Sequence, residues 1–205
     1  MHHDELLRSA GKAVRALAFS AIATHTTFVQ AEPTGTVQTY RGACDASAAV
    51  ALDEQHFIVG NDENDILSIY RRSTSTAIDR LDLRQFLGTR PKEEADIEGA
   101  AMIDSRIYWI TSHGRNSRGE LQPSRHRLFA TRVVPGSPSR VEPVGVPYAN
   151  LLRDLSSAPE LAPWKLASAA ELPAEASGGL NIEGLAATTD GRLLVGFRNP
   201  PILER

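Results

Sequence analysis

A single cysteine, Cys44, stands among 205 residues, so no intrachain disulfide can form. Free cysteine is usually buried. No base or helix N-terminus is evident beside Cys44, so it reads as a small apolar residue rather than a reactive thiol. Charge of one sign is also lacking. The formal net charge is −3 and there is no long basic or acidic block, which leaves no electrostatic case for nucleic acid. After the first thirty residues no run is long and apolar enough to cross a bilayer. His-x-x-x-His and Cys-x-x-Cys spacings are missing, as are Gly-x-Ser-x-Gly and a phosphate-cradling glycine loop. These absences remove the motif-borne cases for zinc, for a serine nucleophile elbow and for nucleotide binding.

What is present suits a folded, turn-rich chain. Hydrophobic residues make up 41% and charged residues 23%, with twelve prolines and fifteen glycines. This is an ordinary globular composition. The N-terminus has the order of a secretory signal: basic Arg8, Lys12 and Arg15, then an Ala-rich apolar stretch, then Val29-Gln30-Ala31 as a small-x-small cleavage site. Residues 1–31 are therefore read as a signal peptide, and the protein as exported, periplasmic or secreted. The alternative is an ordinary amphipathic helix.

From residue 36 onward short β-type runs alternate with turns. Strands are expected at Thr36–Tyr40, Ala48–Leu52, Phe57–Val59, Ile66–Tyr70, Ala100–Ile103, Ile107–Thr111, Leu128–Val134, Gly184–Thr188 and Leu193–Phe197. Leu81–Leu87 reads as a strand end or short helical turn. Ala149–Leu155 is helical in pattern, and Ser156–Ser177 reads as a long surface excursion. Three stretches resemble one another, beginning at Asp45, Asp96 and Asn181. Each runs through an acidic or amide residue, small residues, a strand, a two-residue turn, an apolar strand and a polar cluster. Such internal repetition, at a spacing of one blade and then one blade plus an insertion, is the signature of a β-propeller. The expected fold is all-β, with propeller-like repeats of antiparallel strands spanning residues 36–205. Three copies do not close a ring of four to eight blades, so the expectation is an incomplete propeller, the N-terminal part of a larger one.

Several motifs taken together resemble a bacterial family, the domain of unknown function 3616. They are Cys44–Val50, Glu94–Ala101, Tyr108–Asn116, Arg127–Arg132, Gly178–Ala186 and Gly196–Pro200. The resemblance spans roughly residues 38–200. It implies a β-propeller, often with a signal peptide, and no established reaction.

Two groups of residues are candidates for chemistry. The first is the repeated Asp/Asn-x-Glu-Gly, with Asp45, Asp96, Glu98, Asn181 and Glu183 expected to converge on a central channel. Carboxylates and amides brought together repel unless a cation lies between them, and hard oxygen donors suit Ca²⁺. The alternative is that they cap backbone N–H groups. The second group follows the second strand of each copy: Asp62 and Glu63, then His113, Arg115 and Asn116, then Arg198 and Asn199. Arg115 and Arg198 could hold a carboxylate or phosphate, and His113 could serve as a base. The alternative is turn chemistry and salt bridges between repeats. His56 and His126 stand alone and read as turn or core residues. One of Tyr108 and Trp109 should be core, and Trp164 could cover a hydrophobic face.

Two functions are consistent with these residues. One is a Ca²⁺-assisted hydrolase of small esters or phosphates, with Glu98 and Glu183 as ligands, Glu98 essential to activity and His113 as base. The other is a non-catalytic envelope module binding a small molecule, peptide or sugar on the rim formed by Arg115, Arg198 and the acidic loop.

Overall fold

The computed structural model describes residues 37–136 and 139–200. The signal-peptide expectation for residues 1–31 falls outside them. The chain divides at Val37 into two units, and the fold below is that of the second, Gln38–Arg205.

The described residues are built from antiparallel sheets with few helices. The first sheet is a four-stranded meander of β1 (Ala46–Ala51), β2 (His56–Asn61), β3 (Ile66–Arg71) and β4 (Ala77–Asp82). The second repeats that order with β5 (Ile97–Ile103), β6 (Arg106–Thr111), β7 (Leu128–Val134) and β8 (Arg140–Tyr148). The third has only β9 (Asn181–Ala187) and β10 (Leu193–Asn199). The three sequence repeats are therefore three antiparallel hairpins, β1–β2, β5–β6 and β9–β10. Only β5–β6 has the expected two-residue turn, with Asp104 in the left-handed region at φ 53°; residues 52–55 and 188–192 close the others.

A strand side chain alternates between faces, and this alternation builds the core. Ile58, Leu67 and Ile69 of the first sheet meet Ile97, Ile107, Trp109, Phe129 and Val141 of the second. Trp109 is 0% exposed, and its indole N–H donates to Thr131 Oγ1 at 3.0 Å. A buried Trp N–H needs such a partner. Tyr108, one residue earlier, is only half-buried, as alternation requires. A four-residue helix, α1 (Arg84–Leu87), links the first two sheets and drops Leu87 into the same core. It stops at Gly88, whose φ of 73° makes the left-handed cap that glycine adopts without steric cost.

The hairpins stack first strand beside first strand. β1 lies against β5, and β5 against β9. The closest approach is at Gly99: a Cβ built there would stand 2.7 Å from the Leu185 backbone nitrogen and 3.0 Å from the Gly184 carbonyl carbon. Only glycine lets the two strands come this near.

Four expectations need correction. Val37–Tyr40 is not a strand; Arg41 makes a single bridge with Thr76. Cys44 is exposed, because it sits on the bend leading into β1 rather than on a strand. β8 has no counterpart among the expected strands, since Pro143, Gly145 and Pro147 break its pattern. All three are tolerable on the outer edge of a sheet, where no ladder bond is lost on the solvent side. The excursion after residue 150 is folded. It contains α2 (Leu151–Ser157), a 3₁₀ turn (Pro159–Trp164) and α3 (Leu166–Ala169). Leu166, Ala169 and Leu180 form a second small core, with Leu152, Leu155, Leu161 and Phe197 packed on it. Trp164 stays 38% exposed outside that cluster.

Candidate functional site

A repeated irregularity positions the candidate site. In all three hairpins the register slips at the third residue of the motif, at Ser47, Glu98 and Glu183. A bulge leaves that residue unpaired and re-aims its side chain. In the first copy Ser47 uses this freedom to donate its hydroxyl to the Ile97 carbonyl of the second hairpin. In the other two copies the freed residue is a glutamate.

The bulge brings Glu98 beside Asp96, which precedes β5, and Asp62, which follows β2. One oxygen from each lies within 4.8 Å of the others. Asp62 arrives here because β1 and β2 are antiparallel: Ala46 pairs with Asn61, so the residue after β2 flanks the residue before β1. The Asp62 N–H donates to the Asp45 carbonyl at 3.3 Å. Asp62 Oδ1 is buried and has no hydrogen-bond partner. Asp96 is held in a left-handed conformation at φ 62°. Its carboxylate accepts the Ser112 hydroxyl and pairs with Arg125 at 2.8 Å, and the Ser112 N–H donates to its carbonyl at 3.0 Å. Arg125 also pairs with Glu94 at 2.6 Å.

The group is short of positive charge, and its proton affinities follow. Burial, then the charges of Asp96, Asp62 and Glu183, push Glu98 up from 4.5 to about 8, with Arg125 opposing weakly. Burial and then Asp45 raise Asp62. Burial raises Asp96 despite Ser112 and Arg125. The charge of Asp45 is the main cause of a raised Glu63, which lies at the surface. Asp62, Asp96 and Glu98 resist ionisation chiefly because a charge there would be desolvated beside like charges, whereas Glu63 does so through like charge.

The remaining expected residues lie around or away from this group. Glu183 accepts from Asn181 Nδ2 at 3.0 Å and pairs with Arg198 at 2.7 Å, while Asn181 Oδ1 is buried without a partner. Arg198 also reaches Glu175 at 3.3 Å. Arg115 donates to the Ala170 and Gly119 carbonyls and pairs with Glu171 at 2.7 Å. Asn116 closes a turn by accepting the Arg118 and Glu120 N–H groups. Asn199 donates to the Ala174 carbonyl at 3.1 Å. The second-strand cluster thus ties the helical insertion to the hairpins, and both arginines are engaged within the chain.

His113 is 1% exposed, with φ 55°. Its Nδ1–H donates to the Thr111 carbonyl at 2.8 Å and its Nε2 is buried without a partner. Burial lowers its pKa to about 4, against the bond to Thr111, with His126 and Arg127 adding to the fall. His126, which sequence left isolated, lies with its ring 5.3 Å from that of His113. His56, the first residue of β2, is buried, its Nδ1 against the Asp53 carboxylate at 2.9 Å and its Nε2 facing Arg71. Sequence reasoning placed Ser112 in the cluster after the second strand without giving it a role, and it missed Arg125. The register across β5 and β6 signals the first, whereas Arg125 comes from a 3₁₀ turn (Pro123–Arg125) with no local signature.

Residues 45–131 match the family described as Protein of unknown function (DUF3616). The resemblance drawn from the motifs is thereby borne out over this segment. No curated protein matches the chain. The DUF3616 segment holds Asp62, Asp96 and Glu98 together with Ser112 and Arg125, so the acidic group lies wholly within it. Among the described residues no helix is long and apolar enough to cross a membrane.

Proposed function

We propose that this is an exported, propeller-like protein whose acidic strand ends hold a hard divalent cation, Ca²⁺ before others. The observation that carries the proposal is the Asp62–Asp96–Glu98 group. Oxygens bound to one Ca²⁺ at about 2.3–2.6 Å can lie no more than about 5 Å apart, a limit the 4.8 Å spacing meets. A cation would also supply the partner that Asp62 Oδ1 lacks. The side-by-side packing of β1, β5 and β9 supports the propeller-like arrangement, and the pattern of residues 1–31 supports export.

Hydrolysis of small esters or phosphates is the chemistry such a centre would serve. A bound cation polarises a substrate oxygen or acidifies a water. A cavity of about 240 Å³, lined in part by Glu63 and Glu94, the chain neighbours of Asp62 and Ala95, and by Arg90 and Lys92, offers room for a substrate, although none of the three grouped carboxylates lines it. Of the two residues expected to be catalytic, Glu98 stands in the group. The burial of His113 and its bond to Thr111 favour a positioning role for it over contact with substrate.

The test is thermal unfolding of the full chain in excess Ca²⁺ and in chelator. A cation at one hundred times its Kd stabilises the native state by about 2.7 kcal/mol, which for a chain of this size is about 5–10 °C. Coincident midpoints with Ca²⁺, Mg²⁺, Mn²⁺ and chelator would end the cation reading. A retained shift with no turnover of ester or phosphate substrates would end the hydrolase reading alone.

A further inference from the structure

The helical insertion docks on the strip Ser112–Arg115, which follows β6. The Arg115 guanidinium donates to the Ala170 carbonyl at 2.9 Å and pairs with Glu171 at 2.7 Å. The Ala174 N–H donates back to the Arg115 carbonyl at 3.3 Å, and Arg115 forms a parallel bridge with Pro173. Gly114 is in close contact: a Cβ there would stand 2.8 Å from the Ala174 Cβ and 3.1 Å from the Leu180 carbonyl oxygen. Beyond the insertion, the Ile182 N–H donates to the Ser112 carbonyl at 2.9 Å.

His113 lies in the middle of this strip and is poorly placed to take a proton. Its Nδ1–H is committed to the Thr111 carbonyl, so Nε2 is the atom left to accept one, and that atom is buried without a partner. His126 Nε2 is buried without a partner too, on a ring 5.3 Å from that of His113. A new N–H at either position would be buried and unsatisfied, and its charge desolvated. The surroundings do not compensate. Arg127 acts on both rings and Arg115 on His126, each opposing a positive charge. On β6 the near group is the uncharged Thr111 hydroxyl, 3.5 Å from His113 Nδ1. Arg125 of the 3₁₀ turn is held by Glu94 and Asp96. From the insertion Glu171 is held by Arg115, and Glu175 of the insertion and Glu183 of β9 are held by Arg198. Among the described residues no carboxylate bonds to either ring.

We propose that the His113–His126 pair is an acid-operated latch, which holds the insertion on the strip while both rings are neutral and releases it, with the hairpins still folded, when they take protons. Release lets an imidazolium reach water and draws it away from the arginines, so the released form binds protons more tightly. The sign follows. Burial lowers His113 from 6.5 to about 4. The docked form is therefore fully favoured above pH 6.5 and loses ground as pH falls toward 4. With 6.5 as the value of the released ring, the ratio of docked to released chain falls tenfold per pH unit, about 300-fold across that window. His126, lowered chiefly by burial and then by Arg127 and Arg115, adds to the fall.

Hydrogen exchange of the full chain at pH 6.5 and pH 4, corrected for the intrinsic pH dependence of amide exchange, tests this. Opening of residues 165–180 should rise about 300-fold, while residues 106–111 of β6 stay protected. His113→Asn should remove most of the rise. Asparagine tolerates the left-handed φ of 55° and can donate to the Thr111 carbonyl, yet does not titrate. Adding His126→Gln should remove the rest. Glu171→Gln, which takes the charge from the Arg115 contact and leaves the histidines, should keep the rise. Should His113→Asn fail to fold, the ring-proton signals of His113 in the unaltered chain must titrate with the same midpoint as release. Opening of β6 together with the insertion overturns the proposal. So does a rise that survives both histidine substitutions, one that Glu171→Gln abolishes, or a ring midpoint that differs from that of release.

Discussion

Replacing Glu98 with glutamine should stabilise the cation-free protein and destabilise the cation-loaded one. In the fold Glu98 keeps its proton until about pH 8, whereas its ordinary value is 4.5. Between these values the folded chain binds more protons than the unfolded chain, so stability falls as pH rises from 4.5 to 8. At 1.36 kcal/mol per pH unit the full effect has a ceiling of about 5 kcal/mol. Glu98 is only part-buried and Arg125 opposes the effect, so about 2 kcal/mol is the working figure after solvent screening. Glutamine cannot ionise and escapes the penalty. In chelator at pH 8, Glu98→Gln should therefore melt about 4–8 °C above the unchanged chain. In excess Ca²⁺ the order should reverse, because the variant has lost a ligand that the cation would have held ionised. Calorimetry at pH 5 and pH 8, with and without Ca²⁺, reads all four states. A variant that melts lower in chelator at pH 8 would refute the charge-repulsion reasoning. A variant that gains equally in Ca²⁺ and chelator would remove Glu98 from the cation site.

Two further outcomes follow from the geometry. His113 should titrate near pH 4 in the folded protein, visible in its ring-proton NMR signals. Because its pKa is lowered from 6.5, the stability it gives the neutral form is lost as pH falls below 6.5 toward 4, and a midpoint above 6 would show that the ring reaches water. Gly99→Ala should lower the urea midpoint without changing the m-value, since the added Cβ would press on the backbone of β9 rather than on a side chain that could turn away; an unchanged midpoint would mean that β5 and β9 sit further apart.

The hairpins were legible in sequence because alternation and turn residues are local signals. Motif residues set at the start of each first strand pointed to Asp96 and Glu98 for the same reason. Asp62 was assigned to the rim rather than to the acidic group. Its place depends on the antiparallel register of β1 and β2, which sets the residue after one strand beside the residue before the other. β8 was illegible because two prolines and a glycine hide a strand that needs few ladder bonds at an edge. The insertion was read only as a long surface excursion for a related reason: its leucines are spread over three short helical pieces, and their small core is completed by Leu180 and Phe197 from further along the chain. Arg115 and Arg198 resemble anion-binding side chains in sequence, yet carboxylates of the same chain hold them: Glu171 and Glu175 from the insertion and Glu183 from β9.

The chain has two tryptophans, and the fold places them in different parts of the molecule. Trp109 lies in the core shared by the first two sheets, and Trp164 lies part-exposed on the helical insertion. Their emission is therefore separable, blue and shielded from quencher for the first, red and quenchable for the second. A label-free fluorescence experiment can then distinguish opening of the insertion from collapse of the hairpin stack. If the insertion detaches first, the red component will change while the blue one holds.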